Sequence, residues 1–372
     1  MRSRVHRTGR RVIKVAVIPP VPAFSKNALF ARRRHDDGSH SPNTHWMDCF
    51  AAVYRLAREA DMIFGTADIL PIDEADVAIY MAQPPSPSAI AEDKRARPRL
   101  KSILVLPETA LGARYMFNRR NHEGCDAIFT YNDLLVDHRR YFPFPPRAYD
   151  RDRIRVGRAF EARRVGCLVG TNRPLRFRSG LFAMRKGWKF SLQDWVDYAF
   201  CPGELITYRT SVGRQCARYE PGTFDIYGEG WDADAETKAV CRGIPTRSTL
   251  DYIGEYRYYF AFENHASDCS LISERIWDAL WGDAVPVYMG HTRIADFIPR
   301  DCFVDATQFE NAADLLDWLR SSPKTEWDRY RSAGRDFTRS KAIEPYLPES
   351  FARQFLETLT RVVRGTSAAS AA

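Results

Sequence analysis

The chain predicts an α/β protein built on parallel sheets, and three observations carry that expectation. Short apolar runs of strand length alternate with helical or turn-rich segments from Val12 to Asp305. At 372 residues, with 45% hydrophobic and 13% aromatic residues, the chain is long enough for two such units. Between them, residues 141–164 (YFPFPPRAYDRDRIRVGRAFEARR) shift to proline and arginine with little periodicity. The expected organisation is therefore a domain at 1–145, a basic linker at 146–164, a second domain at 165–345 and a C-terminal helix at 346–364. A tail at 365–372 has no core-forming residues and is expected to be disordered.

Val12 to Ile18 ends in Pro19-Pro20 and reads as a first buried strand. The polar stretch His35 to Asn43 reads as a solvent loop leading into a helical pattern from Trp46 to Ala60. Met62–Thr66, Ala75–Met81, Ser102–Leu106 and Asp126–Tyr131 follow as strands separated by helix-like or polar connections, the pattern of a parallel sheet. Pro107 and Glu108 stand just beyond the Ser102–Leu106 strand, before a helical stretch from Thr109 to Phe117. Ligands in open parallel sheets bind beyond the strands' C-terminal ends, so Glu108 is a carboxylate available for acid–base work; the alternative is a cap or an ion-pair partner. In the second half, Val165–Gly170, Phe224–Tyr227 and Phe303–Asp305 read as strands. Leu205–Tyr219, Ala312–Arg320, Trp327–Arg335 and Ser350–Val363 read as helices.

The stretch FAFENHASDCSLISERIWDALWGDAVPVYMG, residues 260–290, concentrates the chemistry. Tyr258 to Phe262 has strand character, which Glu263-Asn264-His265 should break. Ile272, Ile276, Ala279 and Leu280 give the following helix a buried face, and Gly282-Asp283 end it before the strand Ala284–Met289. In such a βαβ unit Glu263, Asn264, Glu274 and Arg275 crowd around one helix N-terminus, which attracts phosphate. An arginine there can fork onto phosphate oxygens, and a glutamate can accept hydrogen bonds from sugar hydroxyls. The plainer alternative is a solvated helix face with Arg275 paired to Asp278.

Composition narrows the class further. The net charge is +8, but 47 acidic residues are interleaved with 55 basic ones and no Lys/Arg stripe with regular aromatics is present, so nucleic acid is not the expected partner. An anionic substrate or an anionic membrane surface explains the excess. The eight cysteines form no Cys-x-x-Cys pair and suit a reducing compartment. MRSRVHRTGRR is basic like a signal-peptide start, but Lys14, Pro19, Pro20 and Pro22 interrupt the apolar run after it. The expected location is cytoplasmic, with a basic arm able to meet the inner membrane face.

FAFEN, LISER and VPVYMG, in that order and spacing, resemble the signature of the glycosyltransferase family 10 fucosyltransferases. The resemblance implies a GT-B fold of two Rossmann-like lobes facing across a cleft. It implies an inverting α1,3/α1,4-fucosyltransferase with GDP-fucose as donor and an oligosaccharide or lipopolysaccharide as acceptor, and it favours a bacterial enzyme without membrane anchor. Glu108, before CDAIFTY, matches the family's proposed base. Arg178 in FRSGLF, with Arg176 and Arg173 as register alternatives, matches its diphosphate-contacting arginine. Glu263, Asn264, Glu274 and Arg275 would bind the donor, with neither a cofactor nor a metal. Asp232-Ala-Asp234 is similar to the metal-holding Asp-x-Asp of another glycosyltransferase fold, but lies far from the expected strand-end carboxylate. Arg275 stands where the family usually has lysine, and Leu271 where many members have tyrosine. Two alternatives stay open: a same-fold transferase of another nucleotide sugar, and a non-catalytic basic protein that holds glycan or nucleic acid.

Overall fold

Each half of the chain folds around its own parallel sheet. The computed structural model describes residues 11–31, 44–81, 87–109, 117–172, 203–245, 247–269 and 271–365. Strands β1 (Ile13–Ile18), β2 (Met62–Thr66), β3 (Val77–Tyr80), β4 (Lys101–Leu106), β5 (Ala127–Thr130) and β6 (Tyr141–Pro143) form a 6-stranded sheet in the order β2-β1-β3-β4-β5-β6. Strands β7 (Arg164–Val169), β8 (Phe224–Tyr227), β9 (Tyr256–Ser267), β10 (Val285–His291) and β11 (Val304–Asp305) form a 5-stranded sheet in the order β11-β10-β9-β7-β8. Every ladder in both sheets is parallel. These are two Rossmann-like lobes in the GT-B arrangement.

The helices that carry the argument are α1 (Thr44–Ala57), α2 (Pro87–Ala96), α3 (Ile206–Cys216), α4 (Glu274–Trp281), α5 (Ala312–Ser321), α6 (Lys324–Arg339) and α7 (Pro348–Arg364). β3 and β5 are buried at every residue, as parallel strands covered on both faces must be. In the first lobe one face packs against α1 and α7 and the other against Ile90 of α2. In the second lobe α3 and α5 cover one face, α4 and α6 the other. Among the described residues no helix is long and apolar enough to cross a membrane.

Three expectations need correction. β9 does not stop at Phe262 but runs to Ser267: Glu204 bridges His265 antiparallel, and a bulge at Met289/His291 lets β10 rejoin at Ser267. This added pairing holds the polar residues in extended backbone. α4 begins at Glu274, with the Ser273 hydroxyl accepting from the Arg275 N–H, so Ile272 precedes the helix rather than belonging to it. The arginines of residues 146–164 include structural ones: Arg153 pairs with Asp48 (2.6 Å) and Arg163 with Asp283 (2.9 Å), both buried. The His35–Asn43 loop, most of the Thr109–Phe117 stretch, and Arg173, Arg176 and Arg178 lie outside the described residues.

Candidate active site

The C-terminal ends of β4 and β9 and the start of α4 meet where the two lobes join. They enclose a cavity of about 190 Å³ whose wall includes Glu108, Glu263, Asn264, Glu274 and Arg275, together with Trp46 and Arg147. The sequence-predicted site residues within the described part of the chain therefore lie on one cavity, which the plainer reading of Glu274 and Arg275 as solvated surface did not require.

Glu263 is 1% exposed and its geometry is fixed from three sides. Oε1 accepts from the Ser273 N–H at 2.8 Å, Oε2 from Arg275 Nη1 at 3.3 Å, and the side chain lies over Gly290 of β10. A Cβ at residue 290 would stand 2.4 Å from the Glu263 Cγ, so the glycine closing VPVYMG leaves room for this carboxylate. Burial pushes the Glu263 carboxyl up to about 7 against the opposing pull of Arg275 and Ser273. Arg275 also donates to the Ser273 hydroxyl at 3.0 Å. The Arg275–Asp278 pair of the alternative reading does not form: Asp278 instead accepts from the Tyr149 hydroxyl of the inter-lobe segment.

Asn264 faces the opposite way, to α3. Its Oδ1 accepts from Arg209 Nη1 at 3.0 Å, and its carbonyl from the Leu205 N–H at 3.0 Å. Arg209 is 5% exposed, and among the described residues its Nε has no hydrogen-bond partner. Burial, with nearby Arg275, lowers its pKa to about 10, so it stays charged. Sequence reasoning passed over Arg209 because it sits inside a helical pattern rather than at a strand end.

Glu108 belongs to the other lobe. Its side chain is open to the cleft, yet protein from both lobes surrounds it. Burial pushes its carboxyl above the usual range, Glu274 adds to the rise, and Arg275 opposes it. Trp46 and Arg147 complete the wall. Neither was legible as a site residue: Trp46 reads as the start of an amphipathic helix, and Arg147 as one of several linker arginines.

Asp234 of the Asp-x-Asp segment accepts from Arg214 Nε at 3.0 Å. Among the described residues no group of three His, Cys, Asp or Glu is placed to hold a metal ion.

Residues 215–343, which include β8 to β11 and most of this wall, match the family model "Glycosyltransferase family 10 (fucosyltransferase) C-term". Over those residues the chain is similar to glycosyltransferase family 10. The chain is 31% identical over 100 residues to alpha-(1,3)-fucosyltransferase 4 of Homo sapiens, a match covering 26% of this chain and 17% of that protein. It is 31% identical over 143 residues to alpha-(1,3)-fucosyltransferase 7 of Rattus norvegicus, covering 34% of this chain and 38% of that protein. The chain thus aligns with well under half the length of these relatives. Across both lobes the fold is similar to a crystal structure of alpha1,3-fucosyltransferase with GDP, at TM-score 0.51 and 11% identity, covering 99% of this chain and 94% of that one. It is similar also to the DNA-modifying enzyme beta-glucosyltransferase, at TM-score 0.52 and 11% identity, covering 93% and 99%. The likeness to family 10 thus lies in residues 215–343, and likeness across the whole chain is one of fold.

Proposed function

We propose that the protein is an inverting glycosyltransferase that moves fucose from GDP-fucose to a hydroxyl of a cell-surface glycan. The observation that carries this reading is the convergence of the β4-end carboxylate with the β9-end and α4-start residues on one inter-lobe cavity. Relatives similar to part of the chain are named as alpha-(1,3)-fucosyltransferases, and one similar fold is described with GDP-fucose.

In this reading Glu108 takes the proton of the acceptor hydroxyl as its oxygen attacks the anomeric carbon. The bond to the phosphate oxygen breaks, and its electron pair leaves with the nucleoside diphosphate. One base and direct attack invert the anomeric centre. A carboxyl raised above its usual range is the better base, since it holds the proton it takes more tightly. Arg275, Arg209 and the α4 N-terminus stabilise the charge that builds on the diphosphate, with Arg178 as a further phosphate contact. Fixed cations can do this without a metal. Glu274 accepts from sugar or ribose hydroxyls, while Glu263 and Asn264 hold Arg275 and Arg209 in place. The acceptor is an oligosaccharide or lipopolysaccharide, met in the cytoplasm or at the inner membrane face.

A second reading, transfer from another nucleotide sugar, is favoured by Leu271 and Arg275, and a glucosyltransferase shares the fold. Calorimetric titration with GDP, UDP and CMP in EDTA separates the two. Selective GDP binding that survives chelation and weakens at least tenfold in Arg275→Ala is the expected result. A preference for UDP, or a need for metal, would overturn the donor assignment.

A further inference from the structure

The cavity that holds Glu108 and Arg275 has an aromatic wall built from the first lobe, and one cation is set into it. Arg147 is 8% exposed. Its guanidinium carbon is 4.2 Å from the Trp46 ring centroid, 4.2 Å from that of Phe144 and 5.7 Å from that of Phe351. Trp46 belongs to α1, Phe144 follows β6 and Phe351 belongs to α7, and all three lie in the core of the first lobe. Nη1 reaches the Pro145 carbonyl at 3.5 Å, and among the described residues Nε has no hydrogen-bond partner. Glu274 attracts the guanidinium across the cavity, but no ion pair joins the two. Two other buried arginines of the inter-lobe segment are paired, Arg153 with Asp48 and Arg163 with Asp283.

A guanidinium kept from water without a paired counter-ion is costly, and packing alone would be served by an uncharged side chain of the same length. Burial lowers the pKa of Arg147 to about 10, against the pull of Cys49 and Glu274, so it stays charged at neutral pH. The Cys49 thiol offers no counter-charge, because burial pushes it up and keeps it neutral. Arg153 and Arg275 move the other way despite burial, Arg153 through its bond to Asp48 and Arg275 through Glu274 and Glu263. The protein thus compensates the charge of these two arginines and leaves that of Arg147 to whatever enters the cavity. In the proposed reaction the diphosphate has its cations on the opposite wall, Arg275 and, behind Asn264, Arg209. Arg147 stands on the lobe that supplies Glu108, the side from which the acceptor comes.

We propose that Arg147 is an acceptor contact that binds an oxyanion, so that the acceptor is an acidic sugar, one bearing a carboxylate or a phosphate group. The planar fork of the guanidinium can donate to two oxygens of such a group at once, and the ring faces hold that fork in place. A neutral sugar leaves the buried charge unmatched, so the contact that favours the acid also rejects its neutral analogue. Glu108 and Glu274 repel an acid placed elsewhere in the cavity. They thereby orient the acceptor with its charge on Arg147 and a hydroxyl toward the base.

The acceptor role rests on the proposed transfer reaction, whereas the oxyanion site does not, so the test begins with a measurement that needs no turnover. The full chain is labelled with 5-fluorotryptophan and saturated with GDP, and the Trp46 signal is assigned by its loss in Trp46→Phe. Because the guanidinium lies on the Trp46 ring, the fluorine-19 shift of that residue reads what Arg147 binds. Glucuronate, glucose 6-phosphate and glucose are the probes. The two acids should shift the signal saturably, and glucose at the same concentrations should not. In Arg147→Met the affinity for both acids should fall at least about tenfold, with GDP affinity by calorimetry held within about twofold. Arg147→Lys keeps the charge without the fork and should fall between. Arg147→Gln serves if the methionine variant does not fold. An equal response to glucose, or no response to any probe, would overturn the proposal. A loss of GDP affinity of about tenfold in Arg147→Met would overturn it as well, by placing the donor's phosphate on Arg147. With GDP-fucose, an acidic acceptor should be preferred to its neutral counterpart, and Arg147→Met should erase that preference through the acceptor KM. Acid binding of the expected pattern in a protein that transfers nothing from GDP-fucose would uphold the oxyanion site and remove the transferase reading instead.

Discussion

Glu108 stands just beyond β4 and Glu263 within β9, and their surroundings give them different tasks. Glu108 is open to the cleft and among the described residues has no hydrogen-bond partner in its own lobe, so it is free to exchange a proton. Replacing it with glutamine removes the base while keeping the shape. Transfer should fall by about 10²–10⁴ with GDP affinity unchanged, read by kinetics and calorimetry on the same preparation. Glu263 is sealed, and its proton affinity is a matter of stability. The folded protein raises its carboxyl from 4.5 to about 7, so the folded state binds this proton more tightly than the unfolded chain. Its favourable contribution is complete below pH 4.5 and declines as pH rises through about 7. In Glu263→Gln that dependence disappears. The stability of the variant relative to the parent should climb between pH 4.5 and 7 and then level off in thermal melts. A relative stability that fell across the window would mean that the attraction of Arg275 outweighs burial.

At the scale of elements, the turn from α4 into β10 ties the C-terminal lobe to its neighbours. Asp283 sits in the left-handed region (φ 64°) and accepts from Arg331 (2.7 Å), Arg335 (2.6 Å), Arg163 (2.9 Å) and the Gly157 N–H (2.8 Å). This joins α6 and the inter-lobe segment to the turn. Burial alone would raise its carboxyl, but the arginine hydrogen bonds bring it to about 2. Its stabilisation is therefore present above pH 3.8 and lost as pH falls through about 2. Asparagine tolerates the same backbone, so Asp283→Asn isolates the charge. It should cost on the order of 3–5 kcal/mol in urea unfolding at pH 7, because three arginines lose their common partner. The βαβ order and the strand-end placement of Glu108 were legible in sequence, since apolar runs and their polar interruptions report burial directly. The continuation of β9 to Ser267 was not, because it depends on pairing with residue 204, far away in the chain. Arg209 and Arg147 were illegible for a related reason. A buried arginine looks like a surface one until its neighbours are known.

At the scale of the molecule, the chain does not end where the second lobe does. After α6 it returns, and α7 packs on α1 and the first sheet, burying Phe351, Phe355, Leu356 and Leu359 among Phe50, Phe129 and Phe144. The Phe355 and Phe129 rings are 4.7 Å apart, and Phe351 also borders the Arg147 guanidinium. The first lobe, which supplies Glu108, thus owes part of its core to the last segment of the chain, whereas Glu263, Asn264 and Arg275 stand on a core complete without it. A second tie between the lobes, Arg293 to Asp133 at 2.7 Å, is exposed and adds little. Phe355→Ala should then act unequally. It removes an aromatic ring from a closed core, at a cost of roughly 3–5 kcal/mol to the first lobe. Hydrogen exchange should show α1 and β5 losing protection while β9 and β10 keep theirs. GDP affinity should hold within about twofold and transfer should fall, because the donor side stays intact while the base loses its rigid seat. Equal loss of protection in both lobes would mean that they unfold as one unit, and that the first lobe carries no separate stability for α7 to control.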